Sequence, residues 1–315
     1  MECSEFSFYN IDNKNKRGVI LKKIDVHIHS SMWENARIQP GCILASPEEI
    51  KESYRELDID KGFLLPLISP EYRFCVQTNE EMEYLATKYS DTFYWFCNID
   101  PRMGFNRPDY DLSEMLMHYK NKGAIGVGEV TASLEADDTL MENLFYHCAE
   151  CDLPVTIHIG HQKYDCYGIL DDLHLPKLEK MLKKYPKLKI LGHSACFWSE
   201  IDSSVTNETR HTYPTGKVTE GAIVRLMREH PNLYCDCSAG SGYLALSRDE
   251  DFSYRFIEEF SDRLMYGTDI CQPHQKTYLA SWLDKAHEKG CIGDENYYKF
   301  CRGNAIRIFG LDLDK

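Results

Sequence analysis

Short apolar runs, half of them closing on a polar residue, recur along this chain, with longer amphipathic stretches between them. This alternation limits the possible folds more than any other feature. Eight runs are expected to be strands: KKIDVHIH (22–29), FLLPLI (63–68), TFYWFCN (92–98), AIGVGEV (124–130), PVTIHI (154–159), LKILGH (188–193), NLYCDC (232–237) and RLMYGTD (263–269). Several intervening segments, such as SPEEIKESYRELDI and TNEEMEYLATKYS, begin on a Ser or Thr cap and read as helices. Strand–helix alternation with no change of texture predicts an α/β chain, a closed (β/α)8 TIM barrel filling one domain at 21–315; an open doubly wound sheet is the rival. Residues 1–20 read as an N-terminal extension. The polar stretch at about 194–220 is longer than an ordinary strand-to-helix connection and reads as a lid or specificity loop.

Charge narrows the partners. Against 36 Lys and Arg stand 50 Asp and Glu, a net charge of −14, which disfavours a nucleic-acid-tracking or anionic-membrane surface and leaves a small-molecule substrate. The 13 Cys are odd in number and scattered from Cys3 to Cys301, so they read as reduced thiols used as small apolar residues. The first twenty residues lack the apolar run of a secretory signal, and no stretch is apolar enough to span a bilayer, so a cytoplasmic location is expected.

The chemistry concentrates at strand ends. In IDVHIH, two-residue periodicity puts Asp25, His27 and His29 on one face, and Ile24, Val26 and Ile28 on the other. An isolated His-x-His pair is as well explained by hydrogen bonding in a core, but the pattern repeats: His158 ends the fifth strand, His193 the sixth and Asp269 the eighth. In a barrel these ends meet at one mouth. Several imidazoles and a carboxylate crowded there would lack partners unless a divalent ion joined them. Zinc suits such nitrogen and oxygen donors, and Mn2+ or Fe2+ accepts similar ones.

These residues carry a family likeness. DVHIH, His158, the GH at 192–193, YGTD at 266–269, NIDPR at 98–102, NLYCDCSAG at 232–240 and NAIRIFGL at 304–311 together resemble the amidohydrolase superfamily, in the amidohydrolase-related branch that includes the aminocarboxymuconate semialdehyde decarboxylases. The resemblance runs over roughly 22–311. It implies a metal held by His27, His29, His158 and Asp269, with His193 beside its water as an acid, base or orienting group and Asp269 also able to take a proton. Glu129, closing GVGEV on the face assigned to Ile125 and Val127, is either an outer hydrogen-bond acceptor or a bridge that would bring His158 and His193 onto a second metal.

The reaction expected first is hydrolysis of an amide, lactone or similar carbonyl compound bearing a carboxylate. Non-oxidative decarboxylation of an unsaturated or aromatic carboxylate is the alternative, and a non-catalytic metal-stabilised binding protein is the third reading. A substrate carboxylate would need a cation, for which Arg73, Arg102, Arg107, Lys163 and Arg210 with His211 are candidates. Tyr72, Tyr164, His161 and Trp198 are candidates to line the site. Asp236 and Ser238 are expected to hold Asp269 or a nearby ligand, while Cys235 and Cys237 turn toward the helices. The resemblance also implies a homodimer.

Overall fold

The structure, a computed structural model, describes residues 21–71, 73–163 and 167–313. The expected extension at 1–20, together with Tyr72 and Tyr164, lies outside the described residues. Eight parallel strands pair in chain order: β1 (Lys23–Ile28), β2 (Ile59–Leu64), β3 (Phe93–Cys97), β4 (Ala124–Val130), β5 (Val155–Gly160), β6 (Ile190–His193), β7 (Leu233–Asp236) and β8 (Leu264–Met265). The last strand meets the first through single bonds rather than a ladder. Val26 N donates to Tyr266 O at 3.1 Å, Asp269 N to His27 O at 2.8 Å and His29 N to Ile270 O at 3.0 Å. These bonds close a TIM barrel, as the alternation predicts.

Around it run α1 (Pro47–Leu57), α2 (Asn79–Lys88), α3 (Ser113–Asn121), α4 (Thr139–Glu150), α5 (Pro176–Lys184), α6 (Ala195–Trp198), α7 (Ala222–Glu229), α8 (Ala239–Ser247), α9 (Glu250–Phe260), α10 (Leu279–Glu288), α11 (Asp294–Tyr298) and α12 (Asn304–Phe309). The start of α1 is fixed locally. Ser46 accepts from Glu49 N while the Glu49 carboxylate accepts from Ser46 N, and Pro47 occupies the first turn, where no amide is needed. Ile50 and Tyr54 then fall on its buried face.

Two apolar layers result. Outward-facing strand residues such as Val127, Val155 and Ile157 pack against Leu144, Phe145 and other helix residues. Inside the barrel, Ile24, Val26, Phe63, Leu65, Phe96, Leu191 and Met265 form a second core, floored by Ala305, Ile308 and Phe309 of α12. The Phe309 ring stands 5.0 Å from that of Phe63 and 5.3 Å from that of Phe96. Burying one such phenyl contributes about 2–3 kcal/mol. With the floor filled by side chains, the opposite mouth is the open end.

Three expectations shift. The second strand is Ile59–Leu64, ahead of the apolar run at 63–68, because Pro66 has no N–H to give a ladder. The run at 263–269 supplies only Leu264–Met265 as regular strand. The stretch at 194–220 is irregular only in part: α6 and a 3-10 turn, Ser199–Ile201, come first. The remainder is tied down by Arg248, which donates to Asp202 at 2.7 Å and to the carbonyls of Thr215, Gly216 and Lys217.

Candidate metal centre

Strand β1 does not keep one periodicity. Ile24 and Val26 face the barrel interior, Ile28 faces the helices, and the pairing with β2 shifts register between Asp25 and Ile28. This bulge turns both His27 and His29 inward at the mouth and leaves Asp25 on the opposite side, so the expected shared face of Asp25 with the histidines is corrected. Asp25 instead accepts from Thr268 N (2.8 Å), Thr268 Oγ1 (2.5 Å), His27 N (3.1 Å) and Tyr54 Oη (3.0 Å). It thereby clasps the first strand to the last. Burial pushes its carboxyl up to about 7 in spite of those bonds. Tyr54 reaches it because residue 62 is glycine; a Cβ there would stand 2.0 Å from the phenol oxygen.

Strand β4 is irregular in the same way. Val127 packs outward while Glu129 is buried among the histidines, so these two do not share a face either. Gly128, at φ +142°, permits this: a side chain there would put its Cβ 2.7 Å from the Thr156 carbonyl oxygen.

The structure brings His27, His29, Glu129, His158, His193 and Asp269 together. His27 Nε2 and His29 Nε2 are 3.1 Å apart. Asp269 Oδ1 lies 3.8 and 3.6 Å from them, and Glu129 Oε2 lies 3.8 and 3.5 Å away. Two nitrogens on one tetrahedral zinc, each about 2.0–2.1 Å from it, would stand about 3.3 Å apart, so the donor set fits a divalent ion. Glu129, His158 and His193 form a second group whose ligand atoms lie within 4.8 Å of one another. There Glu129 Oε1 is 2.6 Å from His158 Nδ1 and 3.9 Å from His193 Nε2. The two oxygens of one carboxylate therefore face two donor groups.

Outer partners aim the ligand nitrogens. His27 Nδ1 is 2.5 Å from Asp236 Oδ2, His29 Nδ1 donates to Leu65 O at 2.8 Å, and His193 Nδ1 is 3.0 Å from Ser238 Oγ. With Nδ1 engaged in these bonds, each of His27 and His29 turns its Nε2 toward the mouth. Asp236 thus holds His27 and Ser238 holds His193, where the sequence left open whether they served Asp269 or another ligand.

The charges are tightly linked. Burial works against a charged His27, yet Asp236, Asp269 and Glu129 outweigh it and hold its pKa up at about 10. Burial, reinforced by the charge of His27, pulls His193 down despite Asp236, Glu129 and Asp269. Glu129 is held well below the ordinary carboxylate value: burial opposes this, and His158, His29 and His27 override it. Such a cluster suits a cation that replaces protons.

The expected substrate residues divide. Arg102 is forked between Glu71 (2.5 Å) and Asp100 (2.6 Å), Arg107 pairs with Asp109 (2.7 Å), and Arg210 is buried beside Glu200 (3.5 Å). Trp198 is 1% exposed and donates to Asp236 O, so it supports β7 from behind and does not line the mouth. Lys163 is exposed, and the His161 ring stacks on His211 at 4.7 Å, joining two loops. Arg73 lies over the ring of Tyr167, which packs on His158. Tyr167, in a loop that no periodicity marks, carries no signal in the sequence.

Fold and site together define a TIM-barrel protein with a candidate metal centre at the mouth of its strands. A family model described as Amidohydrolase matches residues 24–311, and the chain belongs to that family, which is enzymatic and metal-dependent. No curated protein matches the chain. Among solved structures, an uncharacterised TIM-barrel protein from Bordetella bronchiseptica is 17% identical, with 92% of this chain and 99% of that one covered and a TM-score of 0.63. A probable 2-pyrone-4,6-dicarboxylic acid hydrolase from Acinetobacter baumannii, solved with citric acid bound, is 14% identical over 92% and 100%, TM-score 0.57. A dihydroxybenzoic acid decarboxylase from Polaromonas sp. JS666, solved with manganese and the inhibitor 2-nitroresorcinol, is 15% identical over 93% and 98%, TM-score 0.57. At these identities the likeness establishes the fold alone. No helix among the described residues is long and apolar enough to cross a membrane.

Proposed function

We propose that this protein is a metal-dependent hydrolase of an amide, lactone or similar carbonyl compound. The observation that carries this reading is the Glu129 carboxylate set between two donor groups, His27, His29 and Asp269 on one side and His158 and His193 on the other. A shared carboxylate of this kind suits a pair of divalent ions, of which zinc is the first choice by donor type. Bound there, such ions supply an acidified water and polarise a carbonyl oxygen.

The chain's own residues do the rest. Asp236 and the Leu65 carbonyl fix the rings of His27 and His29. Asp269, with Oδ1 toward those rings and Oδ2 3.8 Å from His193 Nε2, is placed to take the proton of the attacking water. His193, steadied by Ser238 and with Nε2 3.8 Å from Asp269 Oδ2, is suited to receive that proton and hand it on to the leaving group.

The test is metal analysis of protein purified without added ions, then assays of lactones, amides and unsaturated carboxylates with CO2 detection. Two ions per chain falling to one in Glu129→Gln, and water-dependent product without CO2, is the expected outcome. Release of CO2 instead would establish the second reading, decarboxylation, for which the fold likeness to the Polaromonas enzyme is the support. Metal-free protein with unimpaired turnover would sink both.

A further inference from the structure

Carboxylates sort the cations near the mouth. Arg102, Arg107 and Arg210 each face one within 3.5 Å. Arg73 makes no ion pair among the described residues, and its Nε, shut off from solvent, meets no hydrogen-bond acceptor. Its guanidinium rests instead on an aromatic platform: Cζ lies 4.2 Å from the centre of the Tyr167 ring, and that ring lies 4.5 Å from the ring of His158. The guanidinium is therefore within about 9 Å of a ring of the metal centre, and the side chain as a whole is only half-buried.

We infer that Arg73, seated on Tyr167, receives a carboxylate of the substrate, so that the site selects a carbonyl compound carrying a carboxylate a few bonds from the reacting carbon over its neutral analogue. The planar fork of a guanidinium matches two coplanar carboxylate oxygens. This rests on the hydrolase reading of the same centre.

The experiment compares metal-loaded wild type with Arg73→Gln, Arg73→Lys and Tyr167→Leu. The substrates are a lactone or amide bearing a free carboxylate and the methyl ester of the same compound. In Arg73→Gln the preference for acid over ester is expected to fall by about 10- to 100-fold, mostly through KM, as charge-assisted hydrogen bonds are lost. Arg73→Lys is expected to lose less, and Tyr167→Leu to move the same way by a smaller factor. An acid-to-ester preference that survives Arg73→Gln overturns the inference.

Calorimetric titration with glutarate and with inorganic phosphate gives a readout independent of turnover. Glutarate binding to wild type that weakens at least about tenfold in Arg73→Gln supports the assignment even if no hydrolysis is found, in which case the hydrolase reading alone fails. Equal glutarate binding in both proteins, or Arg73-dependent binding of phosphate in preference to glutarate, overturns it.

Discussion

Asp236→Asn probes the centre through a single atom. The carboxylate is fully buried, takes the His27 Nδ1 proton on Oδ2 at 2.5 Å and accepts from Ser238 N on Oδ1 at 3.0 Å. Asparagine fits the same space but offers one acceptor and one donor. If its oxygen stays on the Ser238 amide, its NH2 faces His27 Nδ1, and the imidazole must carry its proton on Nε2, the nitrogen aimed at His29 and Asp269. If the amide turns over, its NH2 meets the Ser238 N–H and two buried donors oppose each other. Either arrangement costs about 1–3 kcal/mol, the value of an unsatisfied buried group. Charged to metal binding, that is roughly 5- to 150-fold in affinity, in line with the 10- to 100-fold expected for outer partners of ligating histidines. Chelator-competition titrations of metal-free wild type and variant with Zn2+ and Mn2+ measure it, with circular dichroism to show that the barrel persists. Dissociation constants within about threefold of wild type for both ions would refute the tautomer argument.

Asp269→Asn is expected to lower turnover of an identified substrate by at least about 100-fold while leaving the melting temperature nearly unchanged, since the side chain is a quarter exposed and its role is proton transfer; a variant with normal turnover removes that role. Arg248→Met strands the buried Asp202 carboxylate, whose partner sits at 2.7 Å, and should destabilise by about 3–5 kcal/mol, roughly 4–8 °C in Tm, with earlier proteolysis within 202–220. A double-mutant cycle with Asp202→Asn that shows no coupling would count against the tether. Gly128→Ala must place a methyl 2.7 Å from the Thr156 carbonyl at φ +142° and should cost about 2–4 kcal/mol in denaturant unfolding; a loss under about 0.5 kcal/mol would mean that the strand shifts freely.

Alternation of apolar runs with amphipathic segments made the barrel readable, and AIGVGEV (124–130) coincides with β4. His27, His29, His158, His193 and Asp269 were legible because they fall at or near the ends of those runs. The bulges were not: strict alternation put Asp25 with the histidines and Val127 with Glu129, and only pairing to the neighbouring strands shows where the period breaks. Trp198 and Arg102 read as mouth residues from loop position alone. Their burial and carboxylate partners come from segments far away in sequence, which local chemistry does not encode. Tyr167 is invisible for a similar reason, since its neighbours His158 and Arg73 come from different loops.

The clasp at Asp25 joins residues 243 positions apart, and Asp269 hangs its amide on the His27 carbonyl. On the ribosome, therefore, two of the imidazoles emerge long before the carboxylate meant to stand beside them. A nascent chain halted short of Thr268 would display them without their partner, so ion capture by the complete constellation must follow synthesis of the last strand. Cells would load this enzyme as a finished barrel, and fragments ending earlier should bind divalent ions weakly and with poor discrimination.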